Sequence, residues 1–317
     1  MSAGFADSPR KIVVRQLWNT PLLASVHQLL RSKYYYFGLP GKDIHDVKLW
    51  REMIRKVTAF EIENEQLDNP RADIVTLNYN LSLLGIPYKV YCGFFENTLL
   101  TKKDDDNEEF ICDDFVTLFN LDFCNSITGY IDTVEGSQCL RFAALREILS
   151  IQREIYRTSG SSRFVLLLTV HDHFHAKEMR NFIHEADKPQ SVTHFLSRLP
   201  QPVQMRGVMQ HSTPHLKAFV FATLRDYFRG FNVSSYFLPP VKYIGRTANS
   251  PMLHFTVLCK FSPENTRVPR ETQKANDFLS RSCYRATDDT LLVEPCCEFE
   301  SNRRLFDPSS AAGFFQN

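Results

Sequence analysis

The chain has 317 residues, of which 43% are hydrophobic and 23% are charged, and its formal net charge is +1. This composition is typical of a globular protein with a substantial core and excludes the disordered and strongly basic classes. The near-neutral charge therefore neither supports nor excludes a nucleic-acid partner. No apolar run approaches the roughly 20 residues that a membrane-spanning helix needs, so the sequence predicts no membrane partner.

The cysteine pattern favours a reducing compartment. None of the eight cysteines forms a C-x-x-C pair, so the sequence does not predict a zinc knuckle. Several cysteines lie in apolar runs, where a free thiol behaves as a small hydrophobic side chain. Residues 1–12 are polar and do not resemble a secretory leader. We therefore expect a cytoplasmic protein.

Three regions follow one another along the chain. Residues 1–32 form a helical segment, in which apolar residues at helical spacing predict short helices that cover a sheet edge or a pocket. Residues 33–262 alternate between strands and helices and form one domain. Residues 263–317 are predicted to be an irregular C-terminal extension with one possible strand at 290–293.

The alternating region predicts a largely parallel sheet. Its strands are the short apolar runs 34–37, 56–61, 89–92, 115–119, 164–169, 233–238 and 253–260. Its helices have apolar residues in helical register: 43–55, 71–84, 138–157, 175–199 and 214–229. The run 164–169 is continuously apolar, as expected of a central strand buried on both faces. Strands that alternate with helices in this way predict βαβ units.

Glycines and polar residues cluster where the predicted strands end. These segments are Gly38–Gly41, Glu61, Gly93–Glu96, Asn120–Asn125 and His171–His175. Parallel sheets bind ligands outside the carboxyl ends of their strands. Five unusual strand ends at one edge therefore predict a ligand-binding cleft.

The order of elements resembles the class I, Rossmann-like S-adenosylmethionine-dependent methyltransferases over about residues 33–262. Five βα units are followed by two strands, 233–238 and 253–260, that can pair as a hairpin. The resemblance implies an α/β fold: a three-layer αβα sandwich with a mostly parallel seven-stranded sheet and a C-terminal antiparallel β-hairpin. It also implies S-adenosylmethionine as cofactor. The methyl acceptor, whether nucleic acid, protein or small molecule, and the oligomeric state are not predicted.

The resemblance assigns roles to individual residues. The turn Gly38-Leu39-Pro40-Gly41 would approach the amino-acid part of the cofactor, although the family usually has three glycines there. Glu61, with Glu63 as a nearby competitor, would accept hydrogen bonds from the ribose hydroxyls. Gly93-Phe94-Phe95 would contact the adenine, and Asn120 and Asp122 are the predicted catalytic residues.

Two other functions stay open. A Rossmann-like domain with an altered glycine turn is also compatible with a non-catalytic nucleoside-binding or interaction module. The run from His171 to His175, with Asp122, suggests a metal-dependent hydrolase or nuclease. The spacing of these histidines where a strand passes into a helix argues against a shared metal, so no metal ligands are assigned.

Three groups of charged residues are predicted to be solvated. Glu96 and the acidic stretch 104–109 are expected in surface loops. Five arginines are expected on the solvent-exposed face of one helix and in the segment just after it: Arg141, Arg146, Arg153, Arg157 and Arg163.

Overall fold

A computed structural model describes residues 8–123, 127, 131–133, 136–138, 140–172, 213–245, 251–263, 283–294 and 306–316. The strands in these ranges are β1 (Tyr34–Gly38), β2 (Ile54–Glu61), β3 (Tyr88–Cys92), β4 (Leu118–Asp122), β5 (Ile131–Thr133), β6 (Gly136–Gln138), β7 (Arg163–His171), β8 (Val233–Phe237), β9 (Val241–Ile244), β10 (Pro251–Phe261), β11 (Cys283–Ala286) and β12 (Leu291–Glu294).

The α-helices of the described residues are α1 (Pro9–Val13), α2 (Thr20–Leu30), α3 (His45–Leu49), α4 (Ala72–Ser82), α5 (Phe95–Thr101), α6 (Leu140–Ser159) and α7 (Thr213–Gly230). A π-helix, Val14–Asn19, joins α1 to α2, and short 3-10 helices span Arg51–Met53 and Pro308–Phe315. Among the helices that the structure describes, none has the length and apolar character to cross a membrane.

Ten of these strands form one sheet. Parallel pairing joins β3, β2, β1, β4 and β7 in that order. The long strand β10 then runs antiparallel to β7 and pairs with both β8 and β9. The predicted α/β class, the mostly parallel sheet and the antiparallel C-terminal hairpin are therefore confirmed, with β8 and β10 as the hairpin strands. The predicted number of seven strands is wrong, because β9, β11 and β12 extend the sheet beyond β10.

Each face of the sheet carries a hydrophobic core, because successive side chains of a strand point to opposite faces. In β1, Tyr35 and Phe37 belong to one core, while Tyr34 and Tyr36 belong to the other. Residues of α5, α6 and α7 pack into the first core, and residues of α2, α3 and α4 pack into the second. The sheet is thus the middle of three layers, and its carboxyl edge is left for the site.

Several predicted boundaries are wrong. Strand β4 begins at Leu118 and ends at Asp122, whereas the apolar run predicted residues 115–119. Its pairing with β1 and β7 covers these later residues, so Asn120 lies inside the strand. The predicted helix 43–55 is instead α3 and a 3-10 turn, because β2 already begins at Ile54. The sequence prediction also missed α5 and β9, and the predicted helix 175–199 lies outside the described residues.

The C-terminal region extends the sheet. Strand β11 pairs with β9, and β12 pairs with β11. The ring of Trp18 in the π-helix packs against two rings of this region. Its centroid lies 5.0 Å from that of Tyr284 in β11 and 5.9 Å from that of Phe306. The 3-10 helix Pro308–Phe315 packs against α2. This region, predicted to be irregular apart from one strand, therefore holds the N-terminal helices in place.

Candidate cofactor cleft

A cleft of about 200 Å³ lies at the carboxyl edge of the sheet. It opens at the point where the order of the strands reverses. From β1, the chain adds β2 and β3 on one side of the sheet and then β4 and β7 on the other side. Open α/β sheets bind ligands at this point. The described residues that line the cleft are Lys11, Arg15, Leu39, Pro40, Gly41, Lys42, Asp43, His45, Phe60, Glu61, Ile62, Asp73, Gly93, Phe94, Phe95, Glu96, Asp122, Phe123 and Arg141.

The turn after β1 forms one wall of the cleft. Leu39, Pro40 and Gly41 line it, and Gly41 has a left-handed φ of +63° that glycine adopts at little cost. Gly38 is not among the lining residues. It lies against β4, where a Cβ would stand 2.0 Å from the carbonyl oxygen of Asn120. Gly38 therefore lets the ends of β1 and β4 approach closely and sets the position of the turn.

Glu61 lies half-buried at the end of β2 and lines the cleft. Its Oε1 accepts a hydrogen bond from the backbone N–H of Ile62 at 3.2 Å. Burial raises the pKa of Glu61 to about 7. Its competitor Glu63 is exposed and pairs with Arg71, with 3.3 Å between Oε1 and Nε. Glu61 is therefore the carboxylate of this strand end that a ligand in the cleft meets.

Replacing Glu61 with glutamine should stabilise the unliganded protein above pH 7. The folded pKa of about 7 exceeds the ordinary value of 4.5, so burial favours the neutral carboxyl. The stability that this preference contributes is complete below pH 4.5 and is lost as the pH rises through 7. We expect Glu61→Gln to raise the free energy of unfolding by about 1–2 kcal/mol at pH 8 and hardly at pH 5. Urea unfolding at both pH values measures this, and a variant less stable at pH 8 would contradict it.

The segment after β3 brings an aromatic side chain to the cleft. Gly93, with a φ of +120°, leads into α5, and the side chain of Phe94 is half exposed at the cleft. Phe95 is buried, and its ring packs edge-on against Phe60 at 5.3 Å. The predicted residues Gly93, Phe94 and Phe95 thus all line the cleft, and Phe94 is the ring available for stacking.

Two charged residues of this region were predicted to be solvated and are not. Glu96 is 8% exposed in the first turn of α5, and its Oε1 accepts a hydrogen bond from Arg141 Nε at 2.9 Å. The Arg141 guanidinium also lies over the ring of Phe123 at 4.9 Å. Both members of this ion pair line the cleft.

The acidic loop after α5 is also ordered around one buried side chain. Asp104 is 7% exposed and accepts hydrogen bonds from the backbone N–H groups of Cys92, Asp106 and Glu108. The prediction of a fully solvated loop is therefore wrong for Asp104. Satisfying three backbone donors, this carboxylate fixes the loop beside the end of β3.

The two predicted catalytic residues share one face of β4 but occupy different places. Asn120 is buried, and its Nδ2 donates to Tyr36 Oη at 2.9 Å and to Asp46 Oδ2 at 2.6 Å. Asn120 does not line the cleft. Asp122 does line it and forms an ion pair with Lys11. The strand thus presents Asp122 to a ligand and holds Asn120 behind it.

The N-terminal helices supply residues that sequence reasoning missed. Lys11, Arg15 and Asn19 recur at four-residue spacing, which places them on one helical face. Arg15 forms a buried ion pair with Asp46, and both Lys11 and Arg15 line the cleft. Burial is the largest single influence on Lys11 and acts to lower its pKa, but Asp122, Tyr243 and Asp46 together outweigh burial, and the pKa of Lys11 is raised. The polar residues that recur every four positions among apolar ones were the available signal.

A buried histidine anchors this polar helix face to the sheet. His254 in β10 has 2.8 Å between Nδ1 and Thr169 Oγ1, and 3.0 Å between Nε2 and Asn19 Oδ1. Burial lowers the pKa of His254 to about 4, so the ring is neutral near pH 7. Nε2 then donates to Asn19 and Nδ1 accepts from Thr169.

The histidine run after β7 lies largely outside the described residues. His171 ends β7, and Asp172 is buried with its Oδ2 3.4 Å from Lys242 Nζ. His173 and His175 fall in a range that the structure does not describe. Within the described ranges, no three histidine, cysteine or acidic side chains are grouped as metal ligands would be.

No family model and no curated protein matches the chain. Solved structures that it is similar to include an rRNA methylase from Streptococcus thermophilus, at 12% identity over 76% of this chain and 94% of that one, with a TM-score of 0.34. A SAM-dependent methyltransferase from Agrobacterium tumefaciens matches at 15% identity over 81% and 63%, with a TM-score of 0.35. One from Methanosarcina mazei matches at 11% identity over 75% and 97%, with a TM-score of 0.37.

The methyltransferase-like fold of the chain follows from its own strand order. Strand β10 runs antiparallel beside β7 and pairs with β8, where the resemblance predicts the antiparallel hairpin. The fold places the glycine turn, Glu61 and Phe94 around one cleft.

Proposed function

We propose that the protein is an S-adenosylmethionine-dependent methyltransferase that binds its cofactor in this cleft. The observation that carries the proposal is the position of Glu61. This half-buried carboxylate ends β2 and lines the cleft near the point where the strand order reverses. Two adjacent hydroxyls of a ribose can donate to such a carboxylate together. A half-buried carboxylate with one backbone donor costs stability, which is typical of a residue kept for binding.

The other predicted residues fit around this contact. The turn from Leu39 to Gly41 would take the amino-acid end of the cofactor, and Phe94 would stack on the adenine. Gly38 and Phe95 would support these two walls from behind. Asp122 would contact the cofactor near its reacting end, and Asn120 would act as a positioning residue through Tyr36 and Asp46.

The chemistry asks little of the protein beyond this arrangement. A methyl group passes in line from the sulfonium to a nucleophile, so catalysis is mostly orientation of the two reactants and removal of a proton. We assign no acceptor, and the proposal is compatible with nucleic acid, protein or small molecules in that role. We also propose that the protein acts in the cytoplasm, where the free thiols of Cys92, Cys112, Cys259 and Cys283 would stay reduced.

Calorimetric titration with S-adenosylhomocysteine tests the proposal. Glu61→Gln should weaken binding about 10- to 100-fold, since charge-assisted hydrogen bonds to the ribose are lost. Glu63→Gln is the matched control and should bind like the wild type, because Glu63 lies outside the lining of the cleft. Wild-type affinity should rise from pH 6 to pH 8, because the ribose hydroxyls favour the charged form of Glu61. Absence of binding to the wild type, or equal effects of the two substitutions, would overturn the proposal.

A nucleoside-binding module without transfer is the second candidate. It is favoured by the amide of Asn120, which is engaged by Tyr36 and Asp46 behind the cleft. Incubation with methyl-labelled S-adenosylmethionine and separate RNA, protein and small-molecule fractions distinguishes the two candidates. Transfer of label to one fraction supports the enzyme, while tight S-adenosylhomocysteine binding without transfer to any fraction supports the module.

A further inference from the structure

A lysine and an aspartate from distant parts of the chain meet at the cleft. Lys11 comes from α1 and Asp122 from the end of β4, and their side chains form an ion pair. The pair is partly open, with side-chain exposures of 25% for Lys11 and 11% for Asp122. The neighbouring Arg15–Asp46 pair is more deeply buried, at 8% and 6%. Of the two pairs on this helix face, Lys11–Asp122 is therefore the one that a ligand can reach more readily.

The Lys11–Asp122 pair lies beside the turn after β1. Gly38 is in register with Asn120, and the backbone N–H of Leu39 donates to the carbonyl oxygen of Asn120 at 3.0 Å. Asp122 follows two residues later in β4, so its side chain emerges next to the turn. Lys11, Leu39 and Asp122 all line the same cleft.

Two other cationic side chains that line the cleft are paired with other carboxylates. The ammonium group of Lys42 donates a hydrogen bond to Asp73 Oδ1 at 2.7 Å. Lys42 also lies close enough to Glu61 to act on its carboxyl group, in the direction of a lower pKa. Arg141 is held by Glu96 and lies over Phe123. Lys11 is thus the cation that is paired with the carboxylate at the end of β4.

We propose that Lys11 and Asp122 bind the amino-acid end of the cofactor, with Lys11 taking its carboxylate and Asp122 its ammonium group. The inference rests on the function proposed above and adds the subsite for the zwitterion. An amino acid has an ammonium and a carboxylate group on the same carbon. Its carboxylate can therefore replace Asp122 as the partner of Lys11, and its ammonium can replace Lys11 as the partner of Asp122, so no charge is left unpaired. Breaking a buried pair without such replacement is costly. The zwitterion is therefore a group that can enter between the two side chains without this cost.

This subsite also accounts for the altered glycine turn. A turn with two glycines and Pro40 offers fewer backbone donors than one with three glycines, because proline has no N–H. The Lys11 ammonium supplies a charge-assisted contact to the carboxylate in their place.

Paired titrations with S-adenosylhomocysteine and 5′-methylthioadenosine test the inference. The two ligands share the thioether nucleoside, but the second lacks the amino-acid end. We expect the wild type to prefer S-adenosylhomocysteine by about 10- to 100-fold, the worth of charge-assisted hydrogen bonds. Lys11→Met should strongly reduce this preference, because the carboxylate of the amino-acid end loses its partner, and should leave the affinity for 5′-methylthioadenosine unchanged. Lys48→Met, at an exposed lysine of α3 outside the lining of the cleft, should keep the wild-type preference.

The outcomes separate this inference from the proposed function. If neither ligand binds the wild type, the proposed function fails and the inference with it. If both bind but Lys11→Met retains the preference, or weakens both ligands equally, the inference alone is wrong. Should Lys11→Met fail to fold, the double variant Lys11→Met/Asp122→Asn leaves no charge of the pair unmatched and must also lose the preference for S-adenosylhomocysteine. Lys11→Arg keeps the positive charge and should therefore retain most of the preference for S-adenosylhomocysteine.

Discussion

Arg15→Met should lower the free energy of unfolding by about 3–5 kcal/mol, the usual effect of removing one member of a buried ion pair. The side chains of Arg15 and Asp46 are 8% and 6% exposed, and after the substitution the amide of Asn120 still donates a hydrogen bond to Asp46. Burial already raises the pKa of Asp46, and Arg15 opposes that rise. Without Arg15 the carboxyl of Asp46 must fold protonated, so the loss should grow from pH 5 to pH 8. Urea unfolding at the two pH values measures both effects.

Two further variants show whether the ion pair is the cause. Arg51→Met removes an exposed arginine from a 3-10 turn and should change stability by less than about 0.5 kcal/mol. The double variant Arg15→Met/Asp46→Asn should recover part of the loss, because it removes the unpaired charge. A double variant as unstable at pH 8 as the sum of the single variants would show that the two side chains act independently.

Gly38→Ala should lower the free energy of unfolding by about 3 kcal/mol or more, at the upper end of what overpacking costs. The new Cβ would lie 2.0 Å from the carbonyl oxygen and 2.7 Å from the carbonyl carbon of Asn120. Both are backbone atoms of a central strand paired on its two sides, so neither can move away cheaply. The ends of β1 and β4 must separate, and the Leu39–Asn120 backbone hydrogen bond lies at that point.

Gly230→Ala is the matched control for this substitution. Gly230 ends α7, has no left-handed φ, and a Cβ there would meet nothing within 4 Å. Alanine should therefore leave stability unchanged or raise it slightly, since it reduces the freedom of the unfolded chain. Chemical denaturation of the two variants side by side gives the comparison. Equal stability of Gly38→Ala and Gly230→Ala would mean that β1 and β4 do not need to lie this close.

Much of the fold could be read from periodicity. The alternation of apolar runs gave the order of the βα units, and the glycine turn and Glu61 were placed correctly at the ends of β1 and β2. Strand β4 was misplaced because Phe115 and Val116 are buried like strand residues although they precede the strand. An apolar run reports burial, whereas the hydrogen bonds that define a strand depend on its neighbours.

The missing part of the site consists of ion pairs between distant segments. Lys11 and Arg15 have ordinary helical surroundings in the sequence, and nothing local shows that Asp122 and Asp46 meet them. The same holds for Arg141, whose partner Glu96 lies 45 residues earlier. Long charged side chains are usually solvated, so only the tertiary structure shows which of them are drawn inward.

The docking of the first helices has a consequence for the order of events during synthesis. Asn19 meets His254, and Trp18 packs on Tyr284 and Phe306, so the helix that carries Lys11 and Arg15 is secured by segments made far later. Domains begin to fold while the ribosome is still adding residues. Strands β1 to β4 can assemble early and already offer Asp46 and Asp122 to Arg15 and Lys11, whereas the contacts of Asn19 and Trp18 form only after β10 and β11 have emerged. A nascent chain stalled before residue 254 would therefore lack this anchor for one wall of the cleft.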